Sequence, residues 1–218
     1  MRLSPRSLRL PQAVPQNAAR LRVDWRRYFR CFPKLRREVL FASAYTLALL
    51  AFIPFYPRLW PLLFVAAPLV GPYARRAGNV RRHFADGDVN AAKLLDPSTG
   101  LVACFADLGK HAGAFYPSVR LLAYPLAEMA GGPYASGDDL AAVSVYYGVP
   151  GGHKWDSFSP VPAACATSDP DELARLREAV PEWQWMFLNE ALFRIPRPYL
   201  PGTYPVVVEE GTRERGLP

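Results

Sequence analysis

The sequence has few cysteines and lacks the usual patterns of a metal or redox site. Three cysteines occur in 218 residues, and none has a C-x-x-C neighbour: Cys31, Cys104 and Cys165. This odd, widely spaced set indicates neither a zinc site nor a disulfide framework, and it is typical of a reducing compartment. The three histidines have no second histidine or cysteine at ligand spacing. We therefore expect no metal and no other cofactor.

Motifs for phosphate binding and nucleophilic catalysis are also missing. The chain contains no P-loop, no G-x-G-x-x-G turn and no G-x-S-x-G nucleophile elbow. Residues 86–90 alternate acids as an EF-hand loop does, but Ala91 and Pro97 occupy the places of its obligatory glycine and glutamate. A solvated turn before a strand is the better interpretation. The leading expectation is a non-enzymatic protein.

Positive charge is confined to the first part of the chain. Residues 1–85 contain 16 Lys or Arg and two acids, so they carry +14, whereas residues 86–218 contain 10 basic and 17 acidic residues and carry −7. A nucleic-acid-binding domain would place its basic residues on the folded part. This division therefore argues against nucleic acid as a partner and favours a membrane.

The N-terminal region is predicted to contain a disordered basic tail (1–16) and an amphipathic, arginine-rich helix (17–38). Asn17 is a suitable N-cap and Pro33 a suitable stop. Aromatic and arginine side chains on different faces suit a helix lying among anionic lipid headgroups. The alternative is an amphipathic helix packed on the protein's own core. The residues predicted at the membrane interface here are Arg22, Trp25, Arg26, Arg27, Phe29 and Arg30.

Two uncharged segments predict a transmembrane helical hairpin over residues 39–74. Residues 39–56 are 18 residues without a charge, a length of about 27 Å as a helix, close to the hydrocarbon thickness of about 30 Å. Residues 62–74 are again uncharged but contain prolines, so a tilted helix or a re-entrant segment is the alternative. Tyr56 and Trp60 near the turn are predicted interfacial aromatics.

Basic residues flank both outer ends of this hairpin. Lys34, Arg36 and Arg37 precede it, and the basic juxtamembrane segment 75–85, which includes the predicted interfacial residues Arg75 and Arg76, follows it. The positive-inside rule then places both termini and the following domain in the cytoplasm, at a bacterial inner membrane. A cleaved signal peptide is not expected. If the second segment does not cross, the domain lies on the opposite side.

Residues 86–209 are predicted to form a soluble α+β domain, followed by a tail (210–218). Short apolar runs separated by turn signals indicate a small bent sheet or partly open barrel. Among its strands we expect residues 118–129, where Pro125 favours an edge or a bulge, and an extended segment over residues 158–167, where two prolines favour an edge. Asp169-Pro170-Asp171-Glu172 begins a helical region that we expect to cover one face of the sheet.

Two glycine-containing loops, 109–116 and 148–156, are the candidate ligand site of this domain. An exposed functional residue is plausible there, although an ordinary polar loop with Trp155 packed on the barrel accounts for the same residues. The alternative function is therefore a membrane-associated enzyme of unknown reaction. The candidate ligand residues are His111, His153, Lys154, Trp155 and Asp156.

Several stretches of the sequence resemble those of a known protein family. They are His83 with GDVNAAKLL, then GLVACFADLGK, YPSVRLL, WDSFSP and the helix around Trp183. Together, over about residues 80–208, they resemble an uncharacterised bacterial family with a domain of unknown function. The resemblance implies a small β-rich domain with helices and supplies no catalytic residues. The resulting hypothesis is a membrane-anchored domain that binds a protein or small ligand, of undetermined oligomeric state.

Overall fold

A computed structural model of the chain describes residues 17–52, 62–110, 114–149 and 152–206. The tails predicted at 1–16 and 210–218, and the residues Tyr56, Trp60 and His111, lie outside this described part. Its helices and strands, in chain order, are α1 (Trp25–Cys31), α2 (Pro33–Phe52), α3 (Leu62–Asp86), β1 (Asp88–Asp96), β2 (Leu101–Asp107), β3 (Pro117–Ala123), β4 (Asp139–Tyr147), β5 (Ser157–Pro162), α4 (Pro170–Glu178), α5 (Glu182–Arg194) and β6 (Gly202–Pro205).

The six strands form one antiparallel sheet in the order β5-β4-β1-β2-β3-β6. The sheet is strongly curled. Side chains of β3 and of the segment after it contact β5, although three strands lie between β3 and β5 in the sheet. Arg120 donates to the carbonyl of Phe158, and the Tyr124 hydroxyl donates to the carbonyl of Pro160 at 2.5 Å. The predicted α+β class, with a bent sheet and C-terminal helices, is confirmed.

The helix α5 covers the outer face of the sheet. Its Phe187 and Trp183 pack against Phe105 of β2, with ring centroids 6.2 and 5.8 Å away. Gln184, also on α5, is buried, and its side-chain oxygen accepts a hydrogen bond from the backbone N–H of Ala91 at 2.9 Å. A buried N–H left without a partner would be costly. Gln184 therefore fixes α5 to β1 as well as filling space.

The predicted helix over 17–38 is replaced by an extended segment and two helices. Ala19 and Leu21 donate backbone hydrogen bonds to the carbonyls of Gly87 and Phe84, so this segment runs beside the end of α3. The helix α1 begins only after Asp24, whose carboxylate accepts the N–H groups of the first turn. The helix α1 ends at Cys31, just before the predicted stop at Pro33, and Pro33 is also the first residue of α2, where its missing N–H costs nothing.

Two predicted strands are shorter in the structure. The strand expected to continue to residue 129 ends at Ala123, and Pro125 precedes a 3₁₀ turn over Leu126–Glu128. The segment expected to be extended to residue 167 ends at Pro162 and continues into a 3₁₀ turn, Ala163–Cys165. The helix predicted after Asp169 begins there, because the Asp169 side chain accepts the N–H of Asp171 and Pro170 occupies the first turn.

Candidate functional site

The helix α2 exposes apolar side chains on most of its circumference. Five of its large apolar residues have relative exposures between 42% and 77%: Leu40, Phe41, Tyr45, Leu47 and Leu50. In the described part of α2, the partly covered residues form one stripe that includes Leu35, Val39, Ala42 and Thr46. Helices of soluble domains normally expose a polar face. The broad exposed apolar surface of α2 is therefore a candidate interaction site.

Charged side chains lie at the domain end of α2 and α3. Arg76 of α3 forms an ion pair with Glu38 of α2, which ties the two helices together where their uncharged stretches begin and end. Arg76 also lies 5.9 Å from the ring centroid of Tyr73, and Arg81 lies 5.8 Å from that of Trp25. The helix pair is thus apolar along α2 and cationic and aromatic at its base.

Within the described residues, none of the helices reaches the length and apolarity of a membrane span. The predicted hairpin nevertheless has helices on both sides of residues 53–61, which are outside the described part.

The helix α1 packs part of its predicted interfacial face into the domain. Tyr28 and Cys31 are buried, and Arg27 donates to the carbonyl of Glu128 at 3.0 Å. Trp25 and Phe29 are half-buried, with ring centroids 5.6 Å apart. The exposed members of the predicted set on and near α1 are Arg22, Arg26 and Arg30. Tyr28 and Cys31 therefore pack on the protein's own core, as the alternative prediction had it, while the three arginines are exposed to solvent.

The two loops predicted to carry a ligand site do meet. Gly109 and Lys154 form a β-bridge, and Trp155 donates its N–H to the carbonyl of Leu108 at 2.8 Å. Lys110, which the sequence does not single out, places its ammonium 4.4 Å from the ring centroid of Trp155. Lys154 lies 5.7 Å from the ring of Tyr116. The loops thus present two lysines over two aromatic rings.

Trp155 is buried in this arrangement, whereas His153, Lys154 and Asp156 are exposed. The carboxylate of Asp156 accepts the N–H of Val149 at 3.1 Å and so holds its own loop. Burial raises the pKa of Asp107 beneath the loops, although the N–H groups of Tyr116 and Gly109 oppose that shift. In the described ranges, no cluster of three His, Cys, Asp or Glu side chains could hold a metal ion.

A groove that the sequence does not reveal lies between α1 and residues 126–134. It encloses about 640 Å³ and is lined on one side by Arg27 and Arg30 and on the other by the backbone around Gly131. A smaller cavity of about 210 Å³ adjoins it, next to Tyr134 and α4. These segments are far apart in the chain, so no spacing in the sequence could have brought them together.

Comparison with known proteins adds a family but no activity. No curated protein matches the chain. One solved structure, a "putative membrane protein" from Corynebacterium diphtheriae, is similar over 55% of this chain and 100% of its own, at 21% identity and a TM-score of 0.43. Residues 75–196 match the family model "Protein of unknown function (DUF3239)". The resemblance to an uncharacterised family is thereby confirmed, and the chain belongs to this family of proteins of unknown function.

Proposed function

We propose that this protein is anchored in an anionic bilayer by the α2–α3 hairpin and presents its α+β domain at the cytoplasmic face as a binding module. The observation that carries the proposal is the exposed apolar surface of α2, with basic residues at the domain end of α2 and α3. Exposed patches of this kind mark an interaction site. An anionic bilayer fits both features, because its hydrocarbon would cover the apolar side chains of α2 and its headgroups would bind the arginines at the domain end of α2 and α3.

The energetics favour lipid as the partner of α2. Burying one large apolar side chain contributes about 1.5–3 kcal/mol, so the five exposed residues of α2 together supply on the order of 10 kcal/mol. Each arginine near an anionic surface adds about 1 kcal/mol. The basic residues at the hairpin base, Arg36, Arg37, Arg75 and Arg76, lie where that surface would be.

The domain's role is the less specified part of this proposal. Its lysine and aromatic loops and the groove beside α1 both suit recognition of a protein or small ligand. The meeting of loops 109–116 and 148–156 also favours the alternative of a membrane-associated enzyme. A reaction assigned to the purified chain, and lost on replacing Lys154, would select that alternative.

Paired serine substitutions test the anchoring. Phe41→Ser with Leu47→Ser removes two exposed apolar side chains from α2, whereas Met186→Ser with Phe193→Ser removes two from α5, where exposures are 59% and 91%. We expect the α2 pair to move much of the protein from the membrane pellet to the supernatant, and the α5 pair to leave it in the pellet. Equal behaviour of the two pairs would contradict the proposal.

A further inference from the structure

The fold gathers the three cysteines into one cluster. Cys31 at the end of α1, Cys104 on β2 and Cys165 in the 3₁₀ turn after β5 all lie in the same buried group of side chains, as free thiols. The helix α1 packs against the 3₁₀ turn that holds Cys165, so Cys31 and Cys165 are neighbours in this cluster, and a hydrogen bond between the two thiols shifts the pKa of each. The Cys31 thiol also lies 3.5 Å from the carbonyl of Glu128.

The surroundings make these two thiols unequal. The hydrogen bond with Cys165 and the nearby Arg27 lower the pKa of Cys31, against the opposing effects of burial and Glu128. The pKa of Cys165 is raised by that same hydrogen bond and by burial. Burial raises the pKa of Cys104 to about 12. Cys31 is thus the better nucleophile of the set, with a second thiol beside it.

We propose that Cys31 and Cys165 are an oxidation site, a dithiol that a peroxide converts to a disulfide joining α1 to the domain. The Cys31 thiol loses its proton as its sulfur attacks one oxygen of hydrogen peroxide, the O–O bond breaks, and that proton joins the leaving hydroxide, so that a sulfenic acid and one water form. The Cys165 thiol then attacks the sulfenyl sulfur. The S–S bond forms and the hydroxyl leaves as a second water, so two thiols are oxidised and one peroxide is reduced.

The consequence is a covalent link at the base of the hairpin. Backbone hydrogen bonds from Phe32 to Tyr28 and from Arg36 to Phe32 carry the chain from α1 into α2 with almost no interruption. A disulfide at Cys31 therefore fixes this helical arm to the 3₁₀ turn that holds Cys165. It also closes a long loop, which restricts the unfolded chain and raises the melting temperature.

Peptide mapping of the oxidised full-length chain tests the site. Trypsin places the cysteines in three different peptides, residues 31–34, 94–110 and 155–175. After hydrogen peroxide treatment, blocking of free thiols and digestion without reductant, we expect peptide 31–34 linked to 155–175, at about 2 Da below the summed masses. We also expect the melting temperature of the oxidised protein to rise by roughly 5–10 °C and to return with dithiothreitol.

Cys104→Ala is the matched control, since it removes the third buried thiol and leaves the pair. That variant must still form the link, and Cys31→Ser must not. Either linkage of peptide 94–110 to 155–175, or free Cys31 and Cys165 under conditions that fully oxidise the urea-unfolded chain, would overturn the proposal. The peptide map of the oxidised wild-type protein shows which cysteines are linked, even if the Cys31→Ser variant fails to fold.

Discussion

The guanidinium of Arg120 donates to the backbone carbonyl of Phe158, and this contact joins β3 to β5 across the mouth of the curled sheet. The backbone of β3 is not available to β5, because its two edges are paired with β2 and with β6. Side chains therefore close the sheet where strands do not. Charge-assisted hydrogen bonds of this kind are among the stronger ones in proteins.

Replacing Arg120 should destabilise the domain. Arg120→Met removes the donor and leaves the Phe158 carbonyl without its partner, so we expect the free energy of unfolding to fall by about 2–3 kcal/mol. Urea unfolding of the detergent-solubilised chain measures this. Arg177→Met is the control, because Arg177 is exposed and has only a 3.7 Å ion pair with Asp139, worth at most about 1 kcal/mol. Equal losses in the two variants would show that Arg120 does not close the sheet.

Gly100 is required by both its conformation and its surroundings. Its φ is +67°, and a Cβ there would lie 1.9 Å from the carbonyl oxygen of Tyr124. Gly137 has a φ of +94° but has open space around it. We expect Gly137→Ala to cost about 1–2 kcal/mol from backbone strain, and Gly100→Ala to cost about 1–3 kcal/mol more from the clash. The denaturant midpoints of the two variants measure these losses. Similar midpoints would show that a Cβ at residue 100 does not clash with the Tyr124 carbonyl.

Stability should fall in mild acid because of His83. Burial lowers the pKa of His83 below its usual 6.5, although the hydrogen bond to the Val143 carbonyl opposes that shift. The unfolded chain therefore binds this proton more strongly. The contribution of neutral His83 is complete above pH 6.5 and is lost as the pH falls below that value, towards the folded pKa. Unfolding measured between roughly pH 7 and 5 should show a shallower dependence in His83→Gln than in wild type. A wild-type slope in His83→Gln would contradict this account.

A two-crossing hairpin predicts the compartment of the C-terminus. A reporter enzyme that works only in the cytoplasm should be active when fused after residue 206, and one that works only in the periplasm should be silent. Activity of the periplasmic reporter instead would mean that the chain crosses once. The positive-inside rule is the physical basis, because the basic flanks lie at both outer ends of the hairpin.

Much of the α+β domain is predictable because its signals are local. The turn at Asp96–Gly100 and the helix start at Asp169 depend on neighbouring residues, and hydrogen bonds from Ser98 and Asp171 to those aspartates produce both in the structure. Strand ends were less predictable, since Pro125 permits an edge strand as readily as the turn that it precedes.

The contacts that build the candidate sites were harder to predict from the sequence. The extended path of residues 17–23 depends on backbone partners near Gly87, which no local pattern signals. The loops around Lys110 and Lys154 were predicted as a site by their glycines, but the stacking of Lys110 on Trp155 depends on β2 and β5 approaching through the curl. The contact of Cys31 with Cys165 likewise requires the tertiary fold, and their spacing argues against it.

Extraction of native membranes tests the central claim most directly. The full-length chain is expressed, and its membranes are washed with high salt and then with alkaline carbonate. We predict that the protein stays in the pellet through both washes and leaves only with detergent, because the apolar surface of α2 is held by hydrocarbon. Release by high salt would contradict the account, since it would mean that arginine–headgroup contacts alone hold the protein.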